Sequence, residues 1–118
     1  MMTAAHPVSG IHLDLKYTMP NKQRLLRWLE RLPGWGIDTV LVEYEDKFPY
    51  AAYPFLRHPE GFTVEELAVF LQTARKCGLQ VIPLVPSLSH LEFALAHEEL
   101  AALREAPDIP TKIGRAHV

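Results

Sequence analysis

The sequence predicts a parallel α/β fold, and three observations predict it. Short apolar runs alternate with amphipathic helical stretches in the order β-α-β-α-β-α. The returns between helix and next strand are short. The run Thr39-Val-Leu-Val42 is apolar and largely β-branched, then turns acidic at Glu43, Glu45 and Asp46. A buried strand that becomes carboxylate-rich at its C-terminal end is what a parallel α/β protein shows where a strand leaves the core and enters a site. The alternation implies parallel strands joined by right-handed crossovers. Two architectures fit it: the start of a (β/α)8 barrel, or a small open doubly wound sheet.

The first strand is expected in Gly10-Ile-His-Leu-Asp-Leu-Lys-Tyr17. Ile11, Leu13 and Leu15 alternate strictly with His12, Asp14 and Lys16, and period two argues for a strand. The polar face could be a solvated edge or the inner face of a barrel strand lining a polar pocket. Met19-Pro20-Asn21 breaks the strand, and Asn21 is a good N-cap. Leu25, Leu26, Trp28, Leu29 and Leu32 recur at helical spacing, which predicts an amphipathic helix over 21–32 terminated by Pro33-Gly34. Strand two follows in the stretch from Asp38, its apolar run at Thr39 to Val42, with Glu43 and Glu45 expected on one strand face and Asp46 at the exit.

A longer loop covers 51–62, with Pro54, Pro59 and Gly61. Loops of this length after a strand often carry function. Thr63-Val-Glu-Glu66 fits the capping box of a second helix. Leu67, Phe70, Leu71 and Ala74 are expected as its buried face, and Arg75, Lys76 and Gly78 as its close. Strand three is short and apolar at 80–85, where Pro83 and Pro86 remove two ladder donors. Residues 91–96 predict a helical turn or two and 97–105 a second helical piece. No glycine-rich phosphate loop follows strand one, where Lys16-Tyr-Thr-Met19 stands, and this argues against a dinucleotide-binding fold.

The bulk properties exclude several classes. With 118 residues there is room for one ordinary domain. Hydrophobic content of 48% and charged content of 22% are those of a globular protein. A net charge of −2 and a pI near 6.3 give no basic face for nucleic acid or an anionic membrane. The single cysteine, Cys77, excludes an internal disulfide framework and reads as a structural thiol at a helix end. The N-terminus lacks a basic region followed by an apolar core, and no apolar run approaches the roughly 20 residues that span a bilayer. A cytoplasmic location is the expectation. Ile113-Gly-Arg-Ala-His-Val118 matches no pattern upstream and coincides with one frame of a common DNA-sequencing adapter. Residues 113–118 are therefore expected to be a non-native tail on a piece of a longer protein.

Several side chains could carry chemistry. His12 and Asp14, at i and i+2 on one strand face, could hold a metal if His90 or Glu43 supplied a third ligand. Alternatively they form a hydrogen-bond network with Lys16. Clustered carboxylates such as Glu43, Glu45 and Asp46 can divide acid and base roles, because like charges push their pKa values apart. They could equally be a solvated strand end. Phe48 and Tyr50 read as packing residues, although aromatics beside carboxylates also suit the apolar faces of sugars. Ser87, Ser89 and His90 contain the elements of a nucleophile and base, but no glycine elbow surrounds either serine. His97 reads as a surface group.

Three pieces together resemble a known family. They are His12-Leu-Asp-Leu-Lys16, then Glu43-Tyr-Glu-Asp-Lys-Phe-Pro-Tyr50, then Pro83-Leu-Val-Pro-Ser-Leu-Ser-His-Leu-Glu-Phe-Ala-Leu95 with His97 and Leu103-Arg-Glu105. They are similar to the catalytic barrel of glycoside hydrolase family 20, in its hexosaminidase-D-like branch of β-N-acetylhexosaminidases, from about Gly10 to Pro107. The resemblance implies that residues 10–112 are the first three βα units of a (β/α)8 TIM barrel, left incomplete. It implies removal of terminal N-acetylhexosamine from a glycan or glycoconjugate by substrate-assisted retaining hydrolysis, with no metal or organic cofactor. The family's catalytic Asp-Glu pair ends strand four and would lie downstream, so the resemblance gives this chain no catalytic residue and an inactive isolated fragment. Asp14, Glu43, Asp46 and His90 match supporting positions around the sugar. Where the branch reads Gln-Thr-x-Gly-His, this chain reads Pro86-Ser-Leu-Ser-His90. A barrel that binds carbohydrate without catalysis is the alternative. Three parallel strands with two open edges would make the isolated chain marginal or aggregation-prone.

Overall fold

The computed structural model describes residues 7–108; the expected tail at 113–118 lies outside the described residues. Three strands, β1 (Gly10–Asp14), β2 (Thr39–Glu43) and β3 (Gln80–Leu84), form one parallel sheet in the order β1-β2-β3. Each strand feeds a helix: α1 (Lys22–Arg31), α2 (Val64–Lys76) and the single turn α3 (Glu92–Leu95). The fold is thus α/β and made of consecutive βα units, as the alternation in the sequence implies.

The register explains why the two faces differ. Ile11 pairs with Val40 and Val40 with Val81; Leu13 pairs with Val42 and Val42 with Pro83. This apolar face packs on α1 and α2 through Leu25, Leu29, Leu67, Phe70 and Ala74, with Val40 and Val42 fully buried at its centre. The intervening rows, His12-Leu41-Ile82 and Asp14-Glu43-Leu84, point the other way. No helix covers that face among the described residues: Ile82 is 40% exposed there.

The caps hold as local chemistry dictates. Asn21 Oδ1 accepts from Arg24 N at 3.1 Å. Thr63 Oγ1 accepts from Glu66 N at 3.1 Å while Thr63 N donates back to Glu66 Oε1 at 3.3 Å, a complete capping box. At the other end of α2, Gly78 takes a left-handed φ of 71°. Its N–H donates to Arg75 O, and Leu79 N donates to Ala74 O at 2.9 Å, so two orphan carbonyls are satisfied in a Schellman motif.

Four sequence expectations are corrected. The β1 ladder stops at Asp14, with only Leu15 N reaching Glu43 O beyond it, because Asp14 Oδ1 captures Lys16 N and turns the chain. Pro33-Gly34 does not end the first helical stretch. The chain tightens into a 3₁₀ turn over Leu32–Trp35, whose first turn tolerates proline, and the left-handed residue is Gly36 at φ 78°. Leu71 is 41% exposed, since the stripe facing the core is carried by Leu67, Phe70 and Ala74 alone. His97 is half-buried, its ring 5.3 Å from that of Phe55.

Candidate functional site

The site lies at the carboxyl ends of the three strands, where parallel α/β proteins collect their functional side chains. β2 leaves the sheet at Glu43. Tyr44 is already helical, and Glu45 swings into the left-handed region at φ 46° as a 3₁₀ turn runs over Glu45–Lys47. Glu43 and Glu45 therefore do not share a strand face, contrary to the sequence expectation. A non-glycine residue at positive φ is costly and persists only where its surroundings fix it. Here the Tyr50 hydroxyl donates to the Glu45 carbonyl at 2.6 Å. An aromatic train, Tyr44–Phe48 at 5.5 Å and Phe48–Tyr50 at 5.2 Å, holds Tyr50 in place.

The four residues singled out in the sequence end up in three small groups. Glu43 is buried and its Oε2 lies 3.0 Å from His12 Nε2, on the face opposite the helices. Asp14 accepts from Lys16 N at 2.8 Å, and Lys16 Nζ bonds His90 Nδ1 at 3.1 Å. Lys16 thus links the exit of β1 to the segment after β3. His90 also has a left-handed φ, 59°. Asp46 takes a separate partner, Lys47, whose ammonium lies 2.5 Å from Asp46 Oδ1 and 3.4 Å from the Lys16 carbonyl. Lys47 is 1% exposed. Lysine is almost never so buried without a partner, and this one ties the exits of β1 and β2 together.

Glu45, which the sequence marks only as one member of a carboxylate cluster, proves to be its most deeply buried side chain. Its side chain is only 4% exposed, and Oε1 has no hydrogen-bond partner; the nearest cation, Lys16 Nζ, is 4.0 Å away. Burial pushes the Glu45 carboxyl up to about 7, against Lys16, which pulls it down, and with help from Glu43, Asp14 and Asp46. Such a group exchanges its proton near neutrality. Two clefts meet at it. One, of about 420 Å³, is lined by Lys16, Tyr17, Glu45, Asp46, Glu92 and Phe93. The other, of about 270 Å³, is mostly apolar and runs past Tyr44, Phe48, Tyr50 and Pro83. The only sequence signal for Glu45 was its place in the acidic run after β2. Burial pushes the Tyr44 hydroxyl up to about 12, so it stays neutral beside this group.

Among the described residues, no group of three or more His, Cys, Asp or Glu side chains is placed to hold a metal ion, so His12 and Asp14 gain no third ligand. Among the same residues, no helix is long and apolar enough to cross a membrane.

Clustered carboxylates, a histidine and lysines lie at the open ends of the parallel strands beside an aromatic corner, and over most of its length the sequence is hexosaminidase-like. It is 38% identical to Hexosaminidase D of Bos taurus over 104 residues, 87% of this chain and 30% of that protein. It is 37% identical to Hexosaminidase D of Homo sapiens over 101 residues, 85% of this chain and 21% of that protein. The chain therefore spans less than a third of the length of either relative. No protein-family model matches it.

Proposed function

We propose that residues 10–112 are the first three βα units of a (β/α)8 barrel in a β-N-acetylhexosaminidase-like glycoside hydrolase of family 20, acting in the cytoplasm. Its substrate is a glycan or glycoconjugate ending in N-acetylhexosamine. The observation that carries this reading is the charged cluster at the carboxyl ends of a sheet whose sequence is hexosaminidase-like. In this reading the face bearing His12, Asp14 and Glu43 turns inward, and Asp14, Glu43, Asp46 and His90 hold and orient the terminal sugar. Hydrolysis is retaining and substrate-assisted: the sugar's acetamido oxygen attacks the anomeric carbon, one carboxylate orients the amide, and a neighbouring carboxylic acid protonates the leaving oxygen. That carboxylate pair belongs to the end of a fourth strand, so these three units supply binding and none of the bond breaking.

Incubating the 118-residue chain with p-nitrophenyl N-acetylglucosaminide is expected to release no nitrophenol. Saturable turnover that is lost in a Glu45→Gln variant would overturn this division of labour. A second reading, a barrel that binds carbohydrate without cleaving it, draws on Pro86-Ser-Leu-Ser89, which lacks the amide and glycine of the hexosaminidase-D-like pattern. The gene sequence downstream of codon 112 decides between them. An Asp-Glu pair closing strand four supports the enzyme, and its absence supports the binder.

A further inference from the structure

Among the described residues, two carboxylate oxygens are out of contact with solvent and without a hydrogen-bond partner: Glu45 Oε1 and Glu92 Oε2. They come from segments 47 positions apart in sequence (92 − 45), yet both residues line the cleft beside Lys16 and Tyr17. Buried acceptors are normally satisfied, and leaving one unmade costs free energy unless something else fills it. Phe93 and Tyr17 give the same cleft apolar walls, and Lys16 gives it one cation. Glu45 is held there at a backbone angle that glutamate does not choose for itself.

We propose that this cleft is a hydroxyl-binding subsite, in which Glu45 and Glu92 accept from two hydroxyl groups of a sugar ring stacked along Phe93. This rests on the hexosaminidase-like reading and adds to it two ligand-contacting residues, Glu45 and Glu92. A neutral polyol suits the site better than a cation, because Lys16 already supplies positive charge and the two carboxylates do not form a metal-binding group among the described residues. The acetamido group is not needed for the contact; the hydroxyls are.

The test is titration of the isotope-labelled 118-residue chain with N-acetylglucosamine, and separately with glucose, followed by amide NMR. Saturable shifts at residues 16–17, 45–46 and 92–93 with both sugars are expected. Glu92→Ala and Glu45→Asn should each weaken binding about tenfold or more, the loss of one hydrogen bond to a charged acceptor. Asparagine tolerates the left-handed angle at position 45, so Glu45→Asn should keep the dispersed spectrum of the parent and separate lost binding from lost folding. Shifts confined to the His12–Glu43 face would overturn the subsite and leave the hexosaminidase-like reading standing. Equal binding of both sugars at the cleft, with no additional shift from the acetamido group anywhere, would support the subsite and count against N-acetylhexosamine as the selected ligand. A well-dispersed spectrum with no shifts at the cleft up to saturating sugar would refute the proposal.

Discussion

Gly61 is the residue at which a single methyl group should do most damage for its size. A Cβ placed there would sit 2.9 Å from Lys47 Cα, 3.0 Å from Lys47 O and 3.1 Å from His58 O. Carbon atoms rest at about 3.5–4.0 Å, so the Lys47 backbone must retreat by roughly 0.5–1 Å. All three obstacles are backbone atoms, and two of them, the Lys47 and His58 carbonyls, hold hydrogen bonds from Phe62 N and Gly61 N at 2.8 and 2.9 Å. Overpacking of this kind costs about 1–3 kcal/mol. The gain from a stiffer unfolded chain, about 0.4–1 kcal/mol, offsets part of it. Gly61→Ala is therefore expected to lose about 1–2 kcal/mol net, or a fall in melting temperature of about 4–8 °C for each kcal/mol in a chain of this size. Gly34→Ala is the control, since nothing lies within 4 Å of a Cβ at that position. Urea unfolding followed by circular dichroism gives both values, and hydrogen exchange at Phe62 should quicken only in the first variant. If the two variants agree to within about 0.5 kcal/mol, the close approach of Gly61 to Lys47 is not as described.

The pH dependence should carry the mark of Glu45. Its folded value of about 7 lies above the ordinary 4.5. Between those values the folded chain holds a proton that the unfolded chain has released, so stability falls as pH rises through that window. The loss is on the order of 1–2 kcal/mol once solvent screening in an open cleft is allowed for. Glu45→Gln should remove it, read as a difference in urea midpoint between pH 5 and pH 8 that is present only in the parent. Glu66 works in the opposite sense: its hydrogen bond from Lys22 holds it below the ordinary range, so its contribution is lost as pH falls through that lowered value. Thr63→Ala should cost about 1 kcal/mol by opening the capping box, and Thr63→Ser should restore most of it; equal loss in both would show that packing, not the cap, is at work.

Much of the scaffold was legible in the sequence because its signals are local. Period two marked β1, the Asn21 and Thr63 caps marked the helix starts, and the alternation of elements marked the parallel sheet. What was not legible depends on contacts between distant residues. Nothing in Tyr-Glu-Asp announces that Glu45 turns left-handed; a hydroxyl five residues on and a lysine just past β1 fix it. Lys47 reads as surface because lysine almost always is, and only the meeting of two strand exits accounts for its burial. Leu71 belongs to a helical stripe by spacing, but the core face is one residue narrower than that stripe. The orphan oxygen of Glu92 is a property of the cleft and not of its own segment.

The loop between β2 and α2 is pinched at its neck. His58 N donates to Asp46 O at 2.7 Å and Phe62 N donates to Lys47 O at 2.8 Å, so residues 48–57 leave and return through adjacent carbonyls. Lengthening such an excursion costs little, since closure entropy grows only with the logarithm of its length. The tip can therefore diverge, acquiring insertions or new side chains, while Asp46 and Lys47 keep their places. Beyond the Phe48–Tyr50 corner, residues 51–57 are a segment whose sequence can drift without disturbing the exits of β1 and β2.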